Sequence, residues 1–153
     1  MAGPVTLTDR FHIGADAVRV RSLLDDVPGV IGCIPGATVK GEGQAGVYDA
    51  AIGVQYAETG VRFEGTVRIA ESGDDRVTVR AEGRDRVGAV RAEGVIRLTL
   101  GAAGEAGTPV DLAAEFTFSG VLAPLARSAT KIVGPQLLRS FAACLAARAG
   151  DRG

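Results

Sequence analysis

Cys33-Ile34-Pro35-Gly36-Ala37 is the stretch that says most about how this chain folds. Pro35 fixes its own φ and Gly36 tolerates a positive φ, so the stretch predicts a tight turn. An amphipathic segment precedes this turn, and a long series of alternating apolar and polar residues follows it. The position of the turn between these two patterns therefore separates an N-terminal unit from the main sheet.

The segment before the turn predicts a strand and two short helices. Apolar and polar side chains alternate over residues 5–13, as in a half-buried strand. Asp9 interrupts the alternation, and we expect it to mark a bulge or a strand end, although a buried acid with a raised pKa is an alternative. Asp16 is a suitable N-cap for a helix to about Asp25, and Val30-Ile31 predicts a second helical turn.

The segment after the turn predicts six strands and one long helix. The strands are expected near residues 38–42, 47–56, 59–70, 76–83, 92–100 and 110–118, and the helix from 122 to about 149. Gly134-Pro135 lies inside that helix and predicts a kink or a break. The order β-α-α-β6-α predicts an α+β fold in which a curved antiparallel sheet of about seven strands wraps around the C-terminal helix. We expect one domain over residues 1–149 and a short tail over 150–153.

Composition limits the function classes. The 153 residues are 46% hydrophobic with a formal net charge of -1, which indicates a globular chain and argues against a nucleic-acid partner. The N-terminus does not resemble a secretion signal, and the apolar stretches are short for a membrane span. The two cysteines, Cys33 and Cys144, predict neither a metal cluster nor a disulfide framework. We therefore expect a cytoplasmic protein with both thiols reduced and buried as small apolar side chains.

Small residues recur on the predicted inner face of four successive strands. They are Gly65, then Ala81 and Gly83, then Ala92 and Gly94, and finally Ala114. A filled core favours large side chains, so this pattern predicts an apolar cavity under the helix. The alternative is that the glycines only allow strong sheet curvature. We favour the cavity, which predicts that Gly65→Leu or Gly94→Leu fills it while the fold is retained.

Candidate reactive groups are few, and we predict no catalytic residue and no metal ligand. His12 is the only histidine and falls on the polar face of the first strand, where solvation is expected. Tyr48 and Tyr56 share one strand face, and either hydroxyl could bind a ligand oxygen in an apolar pocket or lie at the core edge. Residues 120–150 contain four basic residues and no acid, a pattern found in helices that contact anionic surfaces and also in solvated helices.

Several motifs together resemble the family of the carbon monoxide dehydrogenase G subunit, within the START-like helix-grip (SRPBCC) superfamily. They are the turn at 33–37, Phe63-Glu64-Gly65-Thr66-Val67, the strand pair with Ala81-Glu82-Gly83 and Ala92-Glu93-Gly94, and Phe118-Ser119-Gly120 at the entry to the last helix. The resemblance covers nearly all of residues 5–145. The segment 84–91 is more charged than its glycine-rich counterpart in the family, and fuller members continue into a longer C-terminal tail.

The resemblance implies a bacterial accessory protein of a molybdenum-containing carbon monoxide dehydrogenase or related hydroxylase. It implies recruitment of that enzyme to the inner face of the membrane and a quinone, such as menaquinone, in the apolar cavity, with no covalently bound cofactor. Our first hypothesis is therefore a non-catalytic carrier of a hydrophobic small molecule. The second is a cyclase, aromatase or hydrolase of the same superfamily, which needs a polar group in the cavity such as Asp9, Tyr48 or Tyr56.

The predicted ligand-binding residues combine the inner faces of the strands with one side of the last helix. They are Tyr48, Ile52, Tyr56, Phe63, Gly65, Val79, Ala81, Gly83, Gly94, Ile96, Phe116, Phe118, Leu125 and Ile132. A carrier predicts that this surface is free of titratable groups, whereas an enzyme predicts one such group beside the ligand.

Overall fold

A computed structural model describes the backbone of residues 3–56 and 59–150. It also describes the side chains of these residues, except those of 54–56 and 59. Over this part of the chain the elements are β1 Val5–Ile13, α1 Ala17–Asp25, α2 Val27–Gly32, β2 Ala37–Gln44, β3 Val47–Tyr56, β4 Thr59–Ser72, β5 Arg76–Asp85, β6 Arg91–Leu100, β7 Thr108–Ser119 and α3 Ala123–Gly150. The predicted order β-α-α-β6-α is thus confirmed. Apart from Gly150, the predicted tail lies outside the described residues.

The strands form one antiparallel sheet in the order β1-β7-β6-β5-β4-β3-β2. Each strand from β2 to β7 pairs with its neighbour in sequence, and β1 adds to the outer side of β7. The first strand and the second strand of the chain therefore form the two opposite edges of the sheet. Helix α3 packs against β1 and β7, and α2 packs against β2. This α+β arrangement, a curved sheet with a long C-terminal helix, is the predicted helix-grip fold.

The turn that begins the sheet has the predicted geometry. Gly36 adopts φ +82°, and a Cβ at this position would collide with the carbonyl oxygen of Gly53. The Gly53 amide donates to the Gly36 carbonyl at 3.0 Å, and the Ala37 amide donates to the Ile34 carbonyl at 3.0 Å. Only glycine meets both the backbone requirement and the close approach, so this turn is attached directly to β3.

The core lies toward the β1–β7 side of the sheet. Its buried side chains come from α1, the C-cap of α2, β1, β5, β6, β7 and α3, and include Val20, Leu24, Cys33, Val77, Leu98, Leu112, Phe141 and Leu145. Gly134 is buried on α3, and a Cβ there would lie 2.5 Å from Leu7 of β1. The missing side chain at Gly134 lets α3 lie close against the sheet.

Helix α3 continues through Pro135 without a break. Of the kink or break predicted at Gly134-Pro135, the break does not occur. Pro135 lies on the exposed side of the helix, so the carbonyl that loses its partner there can be hydrated. Packing of the buried residues on either side of Pro135 holds the helix together across this position.

Two further expectations are corrected. The two thiols are not free, since Cys33 and Cys144 form a disulfide with a Cα–Cα distance of 5.4 Å across 111 residues of sequence. No local pattern in the sequence indicates that the end of α2 meets α3. Asp9 marks neither a bulge nor a strand end, because it pairs with Leu112 in an uninterrupted β1–β7 register. Its Oδ1 accepts the Arg10 amide at 2.8 Å.

The outer face of the sheet carries ion pairs between strands, one joining the neighbours β1 and β7 and one joining β2 to β4 across β3. Lys40 Nζ donates to Glu64 Oε2 at 2.7 Å, and Arg10 lies 3.3 Å from Asp111. The hydrogen bond from Lys40, followed by that from Arg62, lowers the pKa of Glu64. These side chains are largely exposed, so the pairs contribute little to stability and mainly identify the solvated face.

We expect Gly65→Ala to destabilise the protein by about 2 kcal/mol or more, because overpacking against rigid backbone is costly. A Cβ at Gly65 would collide with the carbonyl oxygen of Glu82 on β5. The matched control is Gly53→Ala in β3, where nothing lies within 4 Å of the new Cβ. Chemical denaturation of both variants measures the difference. Equal midpoints would contradict the assigned close approach of β4 and β5.

Thr108→Val tests a buried polar contact that joins β7 to the start of α1. Thr108 is fully buried, and its Oγ1 donates to the carbonyl of Ala15 at 2.7 Å. Since valine leaves that carbonyl unpaired, we expect a loss of about 1–3 kcal/mol in the free energy of unfolding. Thr117→Val on the exposed face of the same strand is the control, with little change expected. A loss no larger than that of the control would refute the role of the hydroxyl.

Candidate functional site

The predicted small residues of β4, β5 and β6, joined by Ala50 of β3, meet in the sheet as two adjacent rows. In the first row Gly94 pairs with Ala81, and Ala81 pairs with Val67. In the second row Ala92 pairs with Gly83, Gly83 with Gly65, and Gly65 with Ala50. We call Ala50, Gly65, Ala81, Gly83, Ala92 and Gly94 the small-residue patch. It forms a continuous strip on the inner face of β3 to β6.

At two positions of the patch, the neighbouring backbone leaves little room for a side chain, which explains why glycine occurs there. A Cβ at Gly65 would collide with the carbonyl oxygen of Glu82, and a Cβ at Gly83 would lie 3.1 Å from that of Glu64. The directly paired glycines thus let β4 and β5 approach unusually closely. At this pair the curvature alternative accounts for the glycines, and Gly65→Leu would separate the strands before it could fill a pocket.

Gly94 has a different neighbour. A Cβ there would lie 2.9 Å from Cε1 of Phe116, the residue paired with it on β7. The ring of Phe116 therefore covers the space that Gly94 leaves, and leucine at this position would have to displace it. The expectation that Gly94→Leu occupies an empty pocket is not supported by this geometry.

The inner face has a filled part and a more open part. Val79, Ile96 and Phe116 are partly buried and pack against the core. Ile52, Phe63 and Phe118 are also partly buried, but they lie beyond the core, around the small-residue patch. Because α3 packs against β1 and β7, the inner surface over β3 to β5 receives less cover. The candidate ligand site is this less covered inner surface, bordered by Ile52, Phe63 and Phe118, and we call it the groove.

Two residues predicted to line the site from α3 are exposed. Leu125 is 44% exposed and Ile132 is 63% exposed. At 100° per residue, Leu125 lies half a turn around the helix from Gly134, which contacts β1. Leu125 and Ile132 therefore lie on the opposite side of α3 from Gly134, Phe141 and Leu145, the buried residues of the helix. Leu125 and Ile132 do not enclose a cavity in this structure.

Polar groups on the inner face are sparse in the part of the chain whose side chains are described. Tyr48 is partly buried and pairs with Val67, one row from Gly65. Asp85 pairs with Phe63, but its Oδ1 accepts the Val90 amide at 3.0 Å and serves the β5–β6 turn. The side chain of Tyr56 lies outside the described residues. Tyr48 is therefore the predicted polar residue that the geometry brings beside the small-residue patch.

An exposed apolar surface lies near one end of α3, and the sequence prediction missed most of it. Val87 is 81% exposed, Val121 is 84% exposed, and Leu122 and Leu125 are each over 40% exposed. The Leu122 amide donates to the Ala89 carbonyl at 3.0 Å, so the β5–β6 turn adjoins the start of α3. We call Val87, Val121, Leu122 and Leu125 the apolar tip. The unusual density of aliphatic residues at 121–125 was the available sequence signal.

Other surfaces offer less. Two open depressions of about 340 and 520 Å³ lie beside the residue 103–107 loop and around Arg10, Arg97 and Asp111, away from the predicted ligand residues. Among the described residues, no group of three or more histidine, cysteine or carboxylate side chains is arranged to hold a metal ion. Within the same ranges, no helix combines the length and apolar character needed to cross a bilayer.

Solved structures with the same fold include a conserved protein from Geobacillus kaustophilus, with TM-score 0.74, 14% identity and 95% of each chain covered. The Zhui aromatase/cyclase from Streptomyces sp. R1128 matches with TM-score 0.66 and 16% identity, covering 96% of this chain and 94% of its own. A START superfamily protein from Mycobacterium smegmatis matches with TM-score 0.57 and 14% identity, and the match covers 97% of this chain and 98% of that protein. At these identities the likeness establishes the fold alone.

Sequence comparison gives the family. No curated protein matches the chain. The family model that describes CoxG, the G subunit of carbon monoxide dehydrogenase, matches residues 10–150, which include the turn at 33–37, the whole small-residue patch and all of α3. With the helix-grip architecture and this match, the chain belongs to the CoxG family.

Proposed function

We propose that this protein is a non-catalytic carrier that holds a hydrophobic small molecule, a quinone such as menaquinone, in the groove between α3 and the inner face of β3 to β5. The observation that supports this most is the small-residue patch, aligned in register across four strands and bordered by Ile52, Phe63 and Phe118. A patch without large side chains beside aromatic rings suits a planar apolar ring system.

The proposed partner is a molybdenum-containing enzyme of the carbon monoxide dehydrogenase type. Membership of the CoxG family supports this pairing through the family's description. In such an arrangement the carrier needs no bound cofactor of its own and would present the quinone to the enzyme that exchanges electrons with it. We place the protein in the cytoplasm, where the partner would be met at the inner side of the membrane.

A non-catalytic role is supported by the two carboxylates described on the inner face, whereas Tyr48 beside the small-residue patch is the titratable group that the enzymatic alternative requires. The carboxylate of Asp85 binds the backbone of its own turn, and that of Asp9 binds the amide of its neighbour. Tyr48 remains as a hydrogen-bond donor that could orient a quinone carbonyl. The alternative function, a cyclase, aromatase or hydrolase, would assign the same hydroxyl to general acid catalysis.

The proposed peripheral membrane contact is supported by the apolar tip and its charge. Exposed Arg84 and Arg86 lie in or beside the turn that carries Val87, and Lys131 is exposed on α3, which contains no acid. Aliphatic side chains flanked by basic residues suit the headgroup region of an anionic bilayer. The tip also adjoins the start of β6, close to Phe118 at the border of the groove, so a quinone could enter from the membrane.

We expect Ala81→Leu to weaken binding of a short-tailed menaquinone analogue at least tenfold, because it fills the centre of the small-residue patch. Ala81 is partly buried between Val67 and Gly94. Arg80→Leu places the same side chain on the outer face and should leave binding unchanged. Native mass spectrometry and titration calorimetry measure both. Equal affinity for the two variants, with the fold intact by circular dichroism, would rule out the groove as the ligand site.

Tyr48→Phe distinguishes the two functions. A carrier should lose less than about tenfold in quinone affinity, since one neutral hydrogen bond contributes about 0.5–1.5 kcal/mol. An enzyme that uses the hydroxyl as an acid would lose about a hundredfold or more in rate on its substrate. Turnover of a polyketide or ester substrate by the native protein, abolished by this variant, would reject the non-catalytic role.

The apolar tip predicts that the protein binds to vesicles in which about one third of the lipid is phosphatidylglycerol and the remainder is phosphatidylcholine. The Val87→Glu/Leu125→Glu double variant should reduce co-sedimentation at least fivefold, because carboxylates oppose both apolar insertion and anionic lipid. Val18→Glu is the control, since Val18 is as exposed as Val87 but lies on α1. Binding that is equally strong for all variants, or absent for the native protein, would contradict the contact.

A further inference from the structure

A covalent bond connects elements that lie at opposite edges of the sheet. Helix α3 packs on β1 and β7 at one edge, whereas α2 packs on β2 at the other. Cys33 caps the end of α2, Cys144 lies in α3, and the two sulfurs are bonded. The sheet, α3, the disulfide and α2 therefore form a closed ring around the inner face.

Helix α2 is connected through the turn at 33–37 to the strands that border the groove. Cys33 begins the turn whose Gly36 carbonyl accepts the Gly53 amide of β3 at 3.0 Å. Next to Gly53 lies Ile52, which faces Phe63 across the β3–β4 pair. A displacement of α2 away from α3 would thus move the β2–β3 edge and widen the groove on that side.

Other contacts between α2 and α3 are weaker than the disulfide. Arg148 Nη2 lies 3.3 Å from Asp26 Oδ2, and the guanidinium crosses over Gly29. Both side chains of this pair are about half exposed, where an ion pair contributes little. Besides this ion pair and the packing of Val30 and Ile34 against the core, the ring is closed at this point by one covalent bond, whose presence depends on redox conditions.

We propose that Cys33–Cys144 is a redox-operated clasp that closes the β2–β3 edge onto α3 when oxidised and releases it when reduced. A thiolate of a dithiol reductant attacks Cys144 Sγ, which belongs to the partly exposed residue of the pair, and forms a mixed disulfide. Cys33 Sγ leaves with the electron pair and takes a proton. The second thiol of the reductant then displaces Cys144, so two electrons and two protons convert the bond to two thiols and the reductant becomes a disulfide.

The clasp also explains why a disulfide occurs in a protein that we place in the cytoplasm. Disulfides there are rare, and those found are usually transient, catalytic or redox-sensing. The consequence for the ligand and the cytoplasmic setting rest on the proposed function, whereas opening of the β2–β3 edge does not depend on it.

The test is hydrogen–deuterium exchange of the full chain, purified without reductant, before and after treatment with a dithiol such as dithiothreitol. Mass spectrometry of the intact protein first establishes whether the disulfide is present. Its reduction adds two hydrogens and should raise the mass by about 2 Da. We expect exchange of amides in α2, β2 and β3 to rise at least tenfold, while β1, β6 and β7 change less than twofold. The Cys33→Ser/Cys144→Ser variant should reproduce the reduced pattern without reductant.

Each other outcome overturns the clasp. Two free thiols in the untreated protein would show that the bond does not form. Exchange that rises uniformly in all strands would show a general stabilising crosslink, and unchanged exchange would show that α2 is held by its packing. Arg148→Ala is the control for the ion pair and should leave the oxidised pattern within twofold of the native protein.

A second readout separates the clasp from the carrier role. With a short-tailed menaquinone analogue as probe, reduction should raise the dissociation rate at least fivefold, and the double serine variant should show the fast rate under both conditions. If the native protein binds no quinone but the local exchange pattern appears, the proposed function fails and the clasp stands. If the quinone binds with the same dissociation rate in both redox states, the clasp does not govern the groove.

Discussion

Packing of a single helix against one edge of a seven-stranded sheet sets the layout of this molecule. Gly134 lets α3 approach Leu7 of β1, and Phe141 and Leu145 then fill the space over β6 and β7. A helix that lies this close to one edge provides less cover for the strands nearer the other. The division of the inner face into a packed core and a more open groove follows from that placement.

The open part must avoid becoming a large exposed apolar surface, and its sequence does so by reducing side-chain volume. Close approach of β4 and β5 at Gly65 and Gly83 bends the sheet, and the ring of Phe116 lies over Gly94. Residues that looked like evidence for an empty cavity thus serve curvature and local packing as well. What remains is a shallow apolar surface with aromatic borders, a shape that a planar ligand can complete.

The two ends of the molecule are held in different ways. At the end of the sheet near α2, covalent and ionic links join α2 to α3, and Arg21 of α1 donates from Nε to the Gly73 carbonyl at 2.6 Å in the β4–β5 turn. Near the start of α3, a backbone hydrogen bond from Leu122 to Ala89 connects the helix entry to the β5–β6 turn. Exposed aliphatic residues gather at this second end, which is where a membrane or partner contact is proposed.

The element order, the antiparallel pairing, the turn at Gly36 and the alternation that separates the two faces could all be predicted from the sequence, because they depend on periodicity and local backbone preference. The small residues were also assigned correctly to the inner face. Which side of α3 meets the sheet emerged only from the folded chain, so Leu125 and Ile132 were assigned to the wrong side. The pairing of Cys33 with Cys144 and the clash that explains Gly65 likewise depend on contacts between residues distant in the chain or on neighbouring strands, and such distances have no signature in local sequence.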